Sequence, residues 1–381
     1  MNILIITGTY LPSVNGVAVS VESYYQTLKK MGHKVTILAP DVTGAKRSRD
    51  VIRYPSLLNA LSKDYPIPII PLTPKIFKLL TKQKFDIVHA QHPFHISWFG
   101  KKYAQINKAP FVLTYHTKHD EYAENFFKFL PKIISRDIVK ASVEKTMQEV
   151  DLVIAPSKYV QQELKEKYPD TKTVTIPTGI CFPREVKKSK RKVREKLRLP
   201  LKSKILLSVS RLSEEKNIDF ALESFAKLPA DYFFVILGSG PEEENLKKLA
   251  SDLGIDSRVL FAGKIPHEKV PYYLRATDVF VFSALNETQG LNLLEALHAG
   301  IPVAAVGSKT TQEWLPKEFG LTTDFDIKHF SSKIQEICEN PDKGLAKIEQ
   351  EWALNFSIQN TTKKMVETYK ELMKLKAEER R

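Results

Sequence analysis

The segment from Val279 to Gly300 allows few folds. Val279-Phe-Val-Phe282 is a short apolar run of β-branched and aromatic residues, the pattern of a strand buried on both faces. Asn286, Glu287, Thr288, Gln289 and Gly290 follow as a polar loop, and Leu291, Leu294 and Leu297 then recur at helical spacing until Gly300 and Pro302 stop them. This is a strand joined through a glycine loop to the start of a helix. The first N–H groups of such a helix lack partners, and the helix dipole lies behind them, so the junction is an anion site.

Two carboxylates frame that site. Glu287 lies in the loop and Glu295 about one turn into the helix. Helical side chains lean toward the N-terminus, so Glu295 is expected to point at whatever the N–H groups hold. A carboxylate repels a phosphate but accepts hydrogen bonds from a pair of sugar hydroxyls. An anion with a diol just behind it describes a nucleoside diphosphate.

The rest of the chain repeats the strand–helix alternation. Asn2 to Thr7, Val35 to Ala39, Phe85 to Ala90, Pro110 to Thr114, Asp151 to Ala155 and Val174 to Pro177 read as strands, with helices between them. The first helix runs through Glu22, Tyr25 and Leu28, and a strand, helix and strand within about forty residues make a parallel unit. Gly8 and Gly16 are too far apart for a dinucleotide fingerprint and no acid ends the second strand, which weighs against a nicotinamide dehydrogenase.

A second set of strands begins at Lys204 and includes Phe233 to Leu237, Val259 to Ile265 and Val303 to Val306. Arg211 and Lys216, two cations on the loop after the first of them, suit a diphosphate: one is a planar fork, the other a point charge. Gly238-Ser-Gly240 shapes a neighbouring turn. Asp324-Phe-Asp326 mimics a metal motif, but Asp326 precedes a helix and reads as its N-cap. No other metal constellation is visible, so no metal or cofactor is expected.

With 381 residues the chain suits two domains, and its two cysteines, Cys181 and Cys338, carry no ligand spacing and fit a reducing compartment. No apolar run is long enough to span a bilayer, and the N-terminus reads as a strand rather than a leader. The net charge of +14 favours polyanions, but no nucleic-acid module is visible. Two segments, Pro71 to Lys82 and Phe126 to Arg136, mix basic residues with aromatic or aliphatic ones. Each fits either a helix at an anionic membrane surface or an ordinary helix packed on the sheet. The Lys- and Arg-rich run from Lys187 to Lys204 reads as a solvated surface segment, helical from Val193 to Leu199.

At Glu287 to Glu295 the sequence resembles the retaining glycosyltransferases of family 4, whose signature is two Glu separated by seven residues. The form Glu287-Thr-Gln-Gly-Leu-Asn-Leu-Leu-Glu295 is most similar to the diacylglycerol glucosyltransferase branch. The resemblance implies the GT-B architecture: two Rossmann-like, doubly wound parallel-sheet domains facing a cleft. The N-terminal acceptor domain would span 1–182, the donor domain 183–357, and a C-terminal helix of about 358–381 would pack back on the first.

It further implies that Arg211, Lys216, Gly290, Leu291 and Asn292 hold the leaving diphosphate, Glu295 the ribose, and Lys264 and Ile265 the base. Glu287 and His116, the latter in a Thr-Tyr-His-Thr setting, would serve catalysis at the sugar, and Gly16 would meet the diphosphate from the first domain. His119 is the alternative histidine. The expected reaction moves a hexose, glucose from UDP-glucose, to a membrane lipid such as diacylglycerol, with retention and without metal, in a cytoplasmic enzyme at the inner membrane face. A soluble or cell-envelope sugar acceptor, a nucleotide-sugar epimerase and a non-catalytic membrane module are the rival readings.

Overall fold

A computed structural model describes residues 1–379 except 14, 47, 60–61, 69–73, 94, 117–131, 184, 286, 288, 316–321 and 341–342. The chain forms two compact units, Met1–Ile180 with Ile358–Arg381, and Cys181–Ser357.

The first unit opens with β1 (Asn2–Ile6), α1 (Gly16–Lys30), β2 (Lys34–Pro40) and β3 (Val51–Tyr54). A hairpin of β4 (Ser56–Asn59) and β5 (Ser62–Pro68) and helix α2 (Pro74–Thr81) follow. Then come β6 (Ile87–Ala90), α3 (His95–Asn107), β7 (Phe111–Thr114), α4 (Lys132–Glu149), β8 (Leu152–Ala155), α5 (Lys158–Lys167) and β9 (Thr173–Thr175). Seven of these strands make one parallel sheet in the order β3-β2-β1-β6-β7-β8-β9.

Both faces of that sheet are covered, which is why its strands read as unbroken apolar runs. Alternate residues serve alternate faces. Leu4, Ile6, Val88 and Leu113 pack with Phe99 and Tyr103 of α3, Val143 and Met147 of α4 and Leu164 of α5. Ile3, Ile5, Ile37 and Val112 pack instead with Val21, Tyr25 and Leu28 of α1 and with Met365, Tyr369 and Leu372 from the far end of the chain. Each large apolar side chain fully buried in this way contributes on the order of 1.5–3 kcal/mol.

Ile76 and Leu80 of α2 lie in the first of these clusters, while Lys78 is exposed. These two side chains pack in the core beside the sheet, as the packed-helix reading of Pro71 to Lys82 expects. Residues 126–131 of the other basic segment lie outside the described residues. No helix among the described residues is long and apolar enough to cross a membrane.

The second unit begins with α6 (Lys190–Leu197), β10 (Lys204–Val209), α7 (Ile218–Phe225), β11 (Tyr232–Leu237), α8 (Glu243–Asp252) and β12 (Val259–Gly263). It continues with α9 (Val270–Ala276), β13 (Val279–Phe282), α10 (Leu291–His298), β14 (Val303–Val306), α11 (Lys309–Trp314), β15 (Thr322–Thr323), α12 (Ile327–Glu339) and α13 (Lys343–Ala353). Its six strands are parallel in the order β12-β11-β10-β13-β14-β15. Asp326 caps α12, accepting from the His329 amide at 2.7 Å. The last helix, α14 (Ile358–Glu378), belongs to the first unit, where Tyr369 and its neighbours complete the second face of the sheet.

The basic run after Lys187 departs from the solvated segment expected of it. Arg194 is buried, and its guanidinium donates to Asp278 Oδ2 at 2.6 Å, to the Ala276 carbonyl at 2.9 Å and to the Ser203 carbonyl at 3.0 Å. Lys190 reaches the other Asp278 oxygen at 2.6 Å. Asp278 also accepts from the Ile205 amide at 2.7 Å. Ile205 and Asp278 stand at the amino ends of β10 and β13, so this cluster ties together two strands whose carboxyl ends carry the site described next.

Candidate active site

In an open parallel sheet the ligand sits beyond the carboxyl ends of the strands, where the strand order reverses. In the second unit that point lies between β10 and β13, and Arg211, Lys216, Glu287, Gly290 and Glu295 all stand on the loops and the helix that follow these two strands.

The loops are tied to each other. The Asn217 side chain donates through Nδ2 to the Ser283 carbonyl at 3.2 Å, and the Ser283 hydroxyl donates back to the Lys216 carbonyl at 2.7 Å. Asn217 takes a left-handed conformation, φ 48°, to make this turn. The Asn292 side chain donates to the Val209 carbonyl at 2.6 Å, fixing the start of α10 to the end of β10. Asn292 is thus a strut between strand and helix, and its backbone N–H is the group left to serve a ligand. The Lys216 ammonium meets Glu287 Oε1 at 2.5 Å, with both side chains largely covered. Arg211 is exposed and its side chain has no hydrogen-bond or ion-pair partner among the described residues.

Gly290 occupies the cap position of α10 with φ 69°, and it supplies no side-chain acceptor to the amides behind it. A Cβ there would come within 3.1 Å of the Phe282 ring. Leu291 and Asn292 are the first residues of the helix, so their N–H groups have no intrahelical acceptor. The neighbouring turn is equally closed to side chains: a Cβ on Gly238 would stand 1.7 Å from the Ser210 carbonyl oxygen, and one on Gly240 2.0 Å from that of Leu212.

Glu295 accepts from His267 Nε2 at 3.3 Å. That carboxylate holds the His267 pKa above its ordinary value, against the opposite pull of burial. His267 lies just past β12 and close behind Lys264, which is exposed, and Ile265, which is half-buried. A cavity of about 350 Å³ opens beside Glu295 and His298, walled also by Pro271, Arg275 and Lys347.

The first unit reverses its strand order between β1 and β6, and its two remaining candidates lie on that side. Gly16 is the exposed first residue of α1, which Asn15 caps by accepting from the Ala18 amide at 2.9 Å. A Cβ on Gly16 would meet nothing within 4 Å, so the protein's own packing gives no reason for glycine there. Arg53, reaching from β3, donates to the Leu11 carbonyl at 2.8 Å and so braces the loop before the helix. His116 lies two residues beyond β7 with Nε2 2.8 Å from Gln91 Oε1, and burial pushes its pKa down to about 4. His119 lies outside the described residues.

Residues 14–181 match the family described as Glycosyltransferase Family 4, and residues 189–352 match Glycosyl transferases group 1. The chain is a family 4 glycosyltransferase. An alpha-monoglucosyldiacylglycerol synthase of Streptococcus pneumoniae (strain ATCC BAA-255 / R6) is 34% identical to the glycosyltransferase over 318 residues, which is 81% of this chain and 71% of that protein. Among solved structures, sucrose-phosphate synthase from Thermosynechococcus elongatus aligns with a TM-score of 0.79 at 22% identity, covering 98% of this chain and all of the other. Anabaena Alr3699/HepE, solved with UDP and glucose, aligns with a TM-score of 0.75 at 18% identity, over 97% of this chain and 100% of its own. These two likenesses show the fold: the glycosyltransferase has the two parallel-sheet, Rossmann-like units of the GT-B architecture.

Three contributors to the site of this glycosyltransferase were not singled out in the sequence: Asn217, Ser283 and His267. A polar residue at the start of a helix was a signal for Asn217. Nothing local marked Ser283 or His267, whose partners lie 67 and 28 residues away.

Proposed function

We propose that this glycosyltransferase moves a hexose, glucose, from a UDP-sugar to the hydroxyl of a membrane lipid of the diacylglycerol type. The observation that carries the proposal is the 34% identity, over 81% of the chain, to a protein named alpha-monoglucosyldiacylglycerol synthase. The carboxylates at Glu287 and Glu295 and the helix start at Gly290 supply matching chemistry in the second unit. UDP is favoured as the leaving group by the complex of Alr3699/HepE.

In this reading the amides of Gly290, Leu291 and Asn292, with Arg211 and Lys216, stabilise the diphosphate as its bond to the sugar C1 breaks. Charge develops there in the transition state, and donors already fixed in place lower its energy most. A new bond joins C1 to the acceptor oxygen on the same face of the sugar, and the acceptor proton leaves with the diphosphate. Glu295 takes the ribose hydroxyls, and Lys264 and Ile265 flank the base. A diphosphate beside Lys216 competes with Glu287 for the ammonium and releases that carboxylate to the sugar hydroxyls. His116 contacts the transferred sugar, and Gly16 gives the diphosphate an approach without a Cβ.

The fixed cations do the work a divalent ion does elsewhere. A lipid acceptor also fits the surface of α3, where Trp98 and Ile106 are 47% and 48% exposed and Lys102 lies 5.5 Å from the Trp98 ring. We place the enzyme at an anionic membrane surface on the cytoplasmic side.

Labelled UDP-glucose incubated with the protein and mixed vesicles of diacylglycerol and anionic lipid tests this. The expected label moves into an organic-soluble product at a rate unchanged by EDTA. Exclusively water-soluble product contradicts the lipid acceptor, and a rate abolished by EDTA and restored by manganese contradicts the metal-free mechanism. UDP binding with no donor consumed contradicts catalysis from this donor.

A further inference from the structure

His267 links the two parts of the second unit assigned to the nucleoside. It follows Ile265 by two residues and opens a one-turn helix, His267–Lys269, and its ring meets Glu295 of α10. Both supports are firm. The Gly238 amide donates to the Gly263 carbonyl at 2.9 Å and the Lys269 amide to the Pro266 carbonyl at 2.8 Å, and Val270, the first residue of α9, is buried. On α10 the neighbours of Glu295, Leu294 and Ala296, are buried, so the backbone beneath the carboxylate is fixed.

His267 Nε2 lies 3.3 Å from Glu295 Oε1. An ionised carboxylate only accepts hydrogen bonds, so the imidazole is the donor. Among the described residues no other hydrogen bond or ion pair reaches this carboxylate, and Oε2 is left for a ligand.

Without that bond the carboxylate has another place to go. Glu295 also lines the cavity of about 350 Å³, where Arg275 and Lys347 offer positive charge, with Glu185 and Glu351 beside them. A long side chain that is free to turn loses rotamer freedom when a ligand orders it, and a bond made beforehand removes that cost.

We propose that His267 is a positioning residue of the donor site: its imidazole holds one oxygen of Glu295 and presents the other to the ribose hydroxyls, so that the pair together selects a ligand with an intact ribose diol. That the ligand is a ribonucleotide rests on the function proposed above.

The test compares the affinities of UDP and 2′,3′-dideoxy-UDP by calorimetry on the full chain, without any acceptor. The wild type is expected to prefer UDP by about tenfold or more, the scale of hydrogen bonds to a charged group, and Glu295→Ala to lose that preference. His267→Ala is expected to weaken UDP about fivefold and to leave the dideoxy analogue within about twofold of wild type. The His267 side chain is 57% exposed, so its loss is expected to leave the melting temperature unchanged. His267→Gln keeps an N–H donor at similar reach and is expected to hold UDP within about twofold of wild type.

Equal weakening of both ligands in His267→Ala overturns the proposal, because it reduces His267 to a packing role. Unchanged UDP affinity overturns it as well. So does tighter UDP binding, which would make His267 a competitor for the carboxylate. In these cases a preference that still depends on Glu295 leaves the donor site where it is placed above. If wild type and Glu295→Ala show the same preference, the ribose does not lie on Glu295, and the donor-site reading fails together with this proposal.

Discussion

Replacing Arg211 by alanine is expected to lower turnover by about 10²–10³-fold while leaving the melting temperature unchanged to within about a degree. The two halves of that expectation have separate causes. Arg211 is exposed, and its side chain has no partner among the described residues, so its removal breaks nothing in the folded protein. Its position after β10, at the point where the strand order reverses, gives it one evident use, which is a ligand's negative charge. Loss of a single preorganised donor at a developing oxyanion costs about 10²–10³-fold in turnover. Lys216 is a poorer probe of the same idea. Its ammonium is bound to Glu287, so Lys216→Ala also strips that carboxylate of its counter-charge and mixes two effects. Steady-state kinetics with a thermal melt on Arg211→Ala separate stability from catalysis directly. Full activity in this variant would remove Arg211 from the diphosphate site.

The second large effect is on stability. Asp278→Ala is expected to cost about 3–5 kcal/mol, the usual penalty for leaving a buried charge without its partner. The charge left behind is that of Arg194, whose side chain is 7% exposed. The Ile205 amide loses its acceptor at the same time. For a unit of this size the melting temperature should fall by roughly 10 °C.

The effect should also depend on pH in a definite direction. Burial by itself would raise the Asp278 pKa, but Lys190, the Ile205 amide and Arg194 outweigh it and hold the carboxyl below its ordinary value. A depressed carboxyl stabilises the fold above its unfolded pKa of about 3.9 and loses that contribution as pH falls through the folded value. The gap in melting temperature between wild type and variant should therefore be full at neutral pH and should narrow below about pH 4. A gap that does not narrow in acid would contradict the ionised state of Asp278 in the fold.

The Asp278 cluster also marks the limit of what the sequence discloses. A buried apolar strand such as Val279 to Phe282 announces itself through residues that are consecutive, and so does the N-cap at Asp326, whose partner is three residues away. The strand at Val51–Tyr54 and the hairpin beyond it escaped notice. Four-residue strands offer too few positions for a period to show, and Ser62–Pro68 holds two prolines. Arg194 sits in a run of lysines and arginines that looks uniformly solvated. The partner that buries it is 84 residues away, and nothing near Arg194 distinguishes it from Arg191 or Lys192, which are exposed.

The candidate site divides along the same line. Its grouping followed from local pattern: Arg211, Lys216, Glu287, Gly290 and Glu295 were picked out on segments that follow predicted strands, and all five stand on the loops and helix after β10 and β13. Its mechanical support did not. Asn292 was read for its backbone N–H, and the role of its side chain, which braces the helix against the Val209 carbonyl, had no local signal. The pairing of Lys216 with Glu287 spans 71 residues and joins two loops that neither local pattern connects. Likewise His89 reads as part of an ordinary strand, although its ring is held by Tyr369, 280 residues later, on the helix that completes the first unit.

The central claim is that fixed amides, cations and carboxylates of the second unit hold the nucleotide of the sugar donor. The most direct measurement is the position of UDP in a crystal of the full-length protein grown in EDTA. The account predicts the diphosphate against the N–H groups of Gly290, Leu291 and Asn292, with the ribose hydroxyls on Glu295. UDP lodged elsewhere, or bound only when a divalent ion is added back, would contradict it.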